Sequence, residues 1–149
     1  MLVLVSAMVI PFFSSGRLAL RLVQGVELVV AVASLVLLRE VSAAGESFSY
    51  QMGHFPGPWG NMLRCGPLEA LLALTFSVVM LLSLAGGAKD LQRDIRADRQ
   101  GSYCLLLQLL FGALLAMIYT DDLFTAYVFV EIAAVTACIA VVAKESGRS

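Results

Sequence analysis

The chain has 149 residues, of which 60% are hydrophobic and only 14% charged, with a formal net charge of −1 and a mean hydropathy of +0.89. A soluble domain covers its surface with roughly 25% charged residues, so this composition excludes an ordinary soluble globule and points to a chain dissolved in lipid. The near-neutral charge also excludes a nucleic-acid partner, which would require a basic face.

Five apolar stretches follow one another, each to be set against the ~20 residues that a helix needs to cross a bilayer. Met1–Ser15 is short and interrupted by Pro11, so it spans only if the bilayer thins locally or the segment tilts. Leu18–Leu38 and Leu68–Ala88 are of full length. Tyr103–Thr120 and Leu123–Ala143 are separated only by Asp121 and Asp122, a turn tight enough to predict an antiparallel helical hairpin. Lipid offers no partner to a bare backbone, so all five are predicted to be helices. The expected fold class is all-α integral membrane, with about five transmembrane helices. Residues 1–43 hold the first two, 44–66 form an outer loop, and 67–149 hold helices three to five with a charged cytoplasmic loop at 89–100.

Basic residues orient the helices. Arg17 and Arg21 precede the second, Lys89, Arg93, Arg96 and Arg99 follow the third, and Lys144 and Arg148 follow the fifth. These segments fall on one side, whereas only Arg39 and Arg64 lie on the other. The predicted topology is N-out and C-in, in the cell (inner, cytoplasmic) membrane. The N-terminus shows neither a basic leader region nor an A-x-A cleavage site. The polar tail "AKESGRS" reads as a natural stop. In the charged loop, Leu91 and Ile95 are spaced to face inward from a short surface helix.

Little in the chain carries catalytic chemistry. Cys65, Cys104 and Cys138 lack paired spacing, which excludes a disulfide framework and a C-x-x-C metal site. The sole histidine, His54, sits in the outer loop beside Pro56 and Pro58 and reads as a surface residue. No phosphate loop, Ser/His/Asp set or paired catalytic carboxylates can be assembled, and Gly86-Gly87 reads as a helix end. No cofactor or metal is expected, and this chain alone is not a hydrolase or an oxidoreductase.

The informative residues are polar groups inside the apolar runs. In "VFVEIAAVTACIAVVA", residues 128–143, Glu131 stands nine residues after Asp122 and thirteen before Lys144, about 13 and 20 Å along a helix. A carboxylate that deep costs several kcal/mol unless protonated, paired or hydrated, and is by default a functional residue. Tyr127, one turn earlier, shares its face and is placed to hydrogen-bond to it. Gln108 reads as interhelical packing glue. Glu27 lies within two turns of the surface, where it either snorkels or faces a partner subunit. Glu69, after Pro67, suits the positive end of the third helix. Ala133, Ala137 and Ala140 permit close helix approach on a face other than that of Glu131, so the fifth helix reads as buried in a bundle. No Lys or Arg lies mid-way along any stretch, so the counter-charge of Glu131 must come from outside the chain.

Taken together, "YQMGHFPGPWGNMLRCGPLEALLALT" and "GALLAMIYTDDLFTAYVFVEIAAV" resemble the N-terminal part of the antiporter-like subunits shared by Mrp cation/proton antiporters, membrane-bound hydrogenases and respiratory complex I, with the Mrp D type nearest. Gly53–Gly60 matches the family's outer-loop signature, Cys65–Ala70 the start of its third helix, and Asp121–Glu131 its G-D-L-F-x-x-F-V-x-x-E fifth helix. Gly66 and Glu69 replace the usual Asp and Ser of the second element. The resemblance implies that Glu131 is the family's fifth-helix glutamate, which pairs with a lysine on a broken seventh helix and modulates lateral proton transfer. Family members have about fourteen helices, with channels built from inverted repeats. The lysine-bearing helices are absent from these 149 residues.

The expected function is therefore a split antiporter-like subunit of a multi-subunit ion-translocating complex. It would contribute Glu131 to a proton path, supported by Tyr127, Asp122, Gln108 and Glu27. Its partners would be other membrane subunits, including a chain that supplies the remaining helices and lysines, and lipid. The alternative is a non-conducting structural or assembly subunit of such a complex. A self-sufficient small exporter is disfavoured, because the sole tryptophan, Trp59, lies in a loop rather than in a substrate cavity.

Overall fold

The computed structural model describes residues 2–12, 15–51 and 62–147. Helix α1 (Leu2–Val9) tightens into a single 3₁₀ turn at Ile10–Phe12, where Pro11 cannot continue an α-helix. It is followed by α2 (Gly16–Ala44), strands β1 (Phe48–Gln51) and β2 (Met62–Cys65), and helices α3 (Pro67–Asp94), α4 (Gln100–Tyr119) and α5 (Leu123–Gly147). Four helices, α2 to α5, are long and apolar enough to cross a membrane, whereas the apolar segment Leu2–Phe12 is too short. The all-α membrane architecture holds, with one correction: the first stretch is half the length that a spanning helix requires.

Helices α2 and α3 outrun the apolar stretches that predict them. At 29 and 28 residues they reach about 44 and 42 Å, against a hydrocarbon thickness of about 30 Å. The charged segment after Ala88 is therefore mostly helix, and Gly86-Gly87 lies inside α3 rather than at its end. The helix continues because Leu84, Leu91 and Ile95 keep one inward stripe, with Ile95 buried. It stops where the Gln100 amide, itself buried, donates to the carbonyls of Gln92 (3.2 Å) and Ile95 (3.1 Å). At its other end Pro67 follows Gly66 at the first helical position.

The outer segment holds secondary structure that the apolar pattern does not signal. β1 and β2 pair antiparallel, with Phe48 opposite Cys65 and Gln51 opposite Met62, and Leu63 bridges to Thr120. The end of α2, the start of α3 and the end of α4 are thus tied together. The opposite end is held by Gly16, which lies so close to Gln100 that a Cβ there would overlap its side chain. It follows that α2 and α4 run parallel, with α3 antiparallel to both.

Among the described residues seven cations (Arg17, Arg21, Lys89, Arg93, Arg96, Arg99 and Lys144) belong to the Gly16/Gln100 end, and Arg39 and Arg64 to the other. The interior is built largely from small or polar side chains, while Leu28, Val32, Phe76, Leu82, Leu123 and Val142 point outward. That distribution inverts a soluble core and fits helices packing in lipid through small residues. A compact apolar cluster of Ile10, Ala19, Leu20, Val23, Leu84 and Cys104 joins α2, α3 and α4.

Candidate proton-transfer site

Glu131 sits eight residues into α5, about 12 Å from its start. Its side chain is exposed on the surface of this chain. The geometry of α5 explains why. Thr136 and Ala140 are its buried residues, flanked by half-buried Ala126, Phe129, Ala133, Ala137 and Ala143, and this seam packs against α4. At 100° per residue the seam centres about 180° from Glu131, so the carboxylate points away from the bundle. The fifth helix is not buried in this chain, as its small residues suggest, because they line one face only. Tyr127 shares the outward stripe and is 62% exposed. Among the described residues no hydrogen bond or ion pair reaches the Glu131 carboxylate, so the expected Tyr127 bond is not formed.

Asp122 stands apart from the membrane-facing stripe as the cap of α5. Its Oδ2 accepts from the Thr125 hydroxyl at 2.8 Å, its Oδ1 from the Phe124 N–H at 3.3 Å, and its carbonyl from the Ala126 N–H at 2.9 Å. The Thr125 hydroxyl, with the backbone N–H groups of Phe124 and Thr125, holds the Asp122 carboxyl below its ordinary value. These bonds satisfy donors left unpaired in the first turn of α5.

Glu27 and Gln108 occupy the opposite environment to Glu131. Both are 0% exposed within the bundle, which corrects the expectation that Glu27 snorkels or faces a partner subunit. Gln108 donates from Nε2 to Ser6 Oγ at 2.8 Å, and Ser6 donates to the Val3 carbonyl at 2.6 Å. This fixes α1 against α4, where Gly112 gives α1 room: a Cβ there would meet Leu4 Cδ2 at 2.7 Å and Val3 Cγ1 at 3.3 Å. Both oxygens of Glu27 and Oε1 of Gln108 are buried with no hydrogen-bond partner among the described residues. Ser6, invisible as a site residue because it lies 102 positions from Gln108, could be flagged in the sequence only as the one hydroxyl within the apolar segment Leu2–Phe12.

At the cationic end, α3, α4 and α5 border a cleft of about 270 Å³ whose polar lining includes Asp90, Asp94, Tyr103 and Lys144. The cysteines are free: Cys104 is buried, Cys65 half-buried and Cys138 exposed. Burial and then the nearby Glu69 carboxylate push the Cys65 thiol up. No group of residues suited to holding a metal ion occurs among the described residues. His54, Trp59 and the Gly53–Gly60 signature lie outside the described residues.

No protein-family model matches the chain. The NADH-quinone oxidoreductase subunit N of Desulforudis audaxviator (strain MP104C) is 34% identical over 139 residues, covering 87% of this chain and 28% of that protein. A chain in the structure of the membrane-bound sulfane sulfur reductase, an archaeal respiratory membrane complex, superposes with a TM-score of 0.78 at 24% identity, covering 91% of this chain and 28% of its own. A chain of the Mrp complex from Dietzia sp. DQ12-45-1b gives a TM-score of 0.79 at 20% identity, covering 91% of this chain and 24% of its own. The chain thus shares its fold with chains of these two membrane complexes and resembles a subunit N in sequence. The two structures carry the fold, and the subunit N relative adds the sequence. The chain spans little more than a quarter of the length of the curated relative that it matches.

Proposed function

We propose that this chain is a subunit of a multi-subunit ion-translocating membrane complex of the respiratory or Mrp type, and that it contributes Glu131 to a proton path. The supporting observation is the direction in which Glu131 points. It lies at membrane depth on the outward face of α5, with no counter-charge among the described residues. A carboxylate so placed in lipid alone would be costly, and a helix docking there would bring the missing cation. The resemblance supplies its chemistry, a lysine on a helix beyond these 149 residues, carried by a second polypeptide in the split arrangement that we favour. Opening and closing that pair would change the proton affinity of the next site by Coulomb coupling in a medium of low dielectric.

The orientation belongs to the same reading. Among the described residues seven cations gather at the Gly16/Gln100 end, which supports a cytoplasmic position for that end by the positive-inside rule.

The test is to isolate the native complex in mild detergent, identify its chains by mass spectrometry, and compare wild type with Glu131→Gln in reconstituted vesicles. An opposite charge within reach shifts a titration by one to three pH units, so the variant should assemble normally yet pump protons about tenfold or more slowly. Normal pumping by an assembled Glu131→Gln complex would leave the structural or assembly role instead.

A further inference from the structure

The most enclosed acid of the bundle is Glu27, and its surroundings fix what it can hold. Val23 of α2 and Cys104 of α4 share the apolar cluster between these parallel helices. Glu27 and Gln108 each stand four residues, about one turn, further along, so they lie at the same depth on adjoining helices. The three unpartnered atoms there, Glu27 Oε1 and Oε2 and Gln108 Oε1, are all acceptors when the acid is ionised. What the site lacks is a donor.

Among the described residues no donor reaches any of the three. The Gln108 amide donates to Ser6, whose own hydroxyl is spent on Val3; this order fixes the amide with its oxygen unclaimed. Ser77 donates to the Ala73 carbonyl and Gln24 to that of Leu84. As for charge, α1 carries no titratable side chain and α3 none between Glu69 and Lys89. On α4 the nearest are Tyr103 and Cys104, a turn toward the cationic end, with Tyr119 at the far end. Arg21 and Arg39 of α2 itself are exposed. Since Glu27 is 0% exposed, a docked subunit cannot reach it either, in contrast to Glu131.

We propose that Glu27 is an internal proton-binding site. It carries a proton on one carboxyl oxygen and donates it to Gln108 Oε1, directly or through one enclosed water. A single proton turns one orphan acceptor into a donor and satisfies a second. It also completes a chain of hydrogen bonds that all run in one direction, from Glu27 through Gln108 and Ser6 to the Val3 carbonyl. Leaving the acid ionised would instead bury an unpaired charge.

The test is infrared difference spectroscopy on the chain in its native membrane assembly at neutral pH. Wild type minus Glu27→Gln should show the carbonyl stretch of a protonated carboxylic acid, and Glu131→Gln should leave that band in place. Gln108→Leu should shift the band to higher frequency as the acid loses its acceptor. Loss of a carboxylate band in Glu27→Gln, or no change at all, would overturn the proposal. An unmoved band in Gln108→Leu would remove Gln108 as the acceptor. Glutamine has the shape and donor capacity of the protonated acid, so failure of Glu27→Gln to accumulate would also count against it.

Discussion

Two acidic residues lie in apolar runs at membrane depth and meet opposite fates: Glu27 is enclosed and Glu131 faces outward. Hydropathy treats them alike, because the sign of the difference lies in helix phase relative to neighbours, which a single sequence does not contain. Asp122 shows a residue whose role is local and readable, since Asp three positions before Thr125 opens α5 in the manner of an N-cap. Its folded-state titration lies below the ordinary Asp value. The stability it contributes is therefore fully present above that ordinary value, near pH 4, and is lost as pH falls through the lower folded value. At neutral pH the order of thermal unfolding temperatures should be wild type, then Asp122→Asn, then Asp122→Ala, because Asn keeps an acceptor without the charge that favours the helix start. Circular-dichroism melts in detergent should show a constant gap between wild type and Asp122→Ala from pH 7 to about 4 that narrows below. A gap that is flat to strong acid would mean that the ionised carboxylate is not what caps the helix.

At the scale of elements, the apolar runs locate all five helical segments but mistake their ends. α3 passes through Lys89 and Arg93 to Asp94 because Leu91 and Ile95 extend its inward stripe, and because Gln100, a residue with no apolar signature, closes its last turn. The β1–β2 ladder was not legible, since Phe48–Gln51 and Met62–Cys65 are four residues each and their pairing is set by the helices they connect. Gly112 is legible only afterwards, as the point where α1 crosses α4. Gly112→Leu should drive Leu4 and Val3 outward and strain the Ser6–Gln108 bond, costing about 1–3 kcal/mol by overpacking. The contact is pairwise, so Leu4→Ala should restore part of that loss, read as a coupling in a double-mutant cycle of unfolding free energies. Additive effects would mean that α1 does not pack here.

The whole molecule presents an unusual surface: its large aliphatic side chains are mostly outside, and α5 offers lipid or a neighbour an outward face with one acid, Glu131, at membrane depth. The proposed role of Glu131 requires that helices beyond this chain cover α5. Cys138 supplies a reporter. It lies seven residues after Glu131, about 20° away around the helix, and is exposed here. The other thiols are half-buried Cys65, pushed up by burial and Glu69, and buried Cys104, so Cys138 is the thiol most open to a lipid-soluble mercurial. It should react readily when the chain is expressed alone in membranes and be protected about tenfold or more in the intact complex, equivalent to an opening cost of about 1.4 kcal/mol on the same scale. Equal reactivity in both settings would leave α5 facing lipid in the assembly, and the cation expected beside Glu131 would then have no helix to carry it.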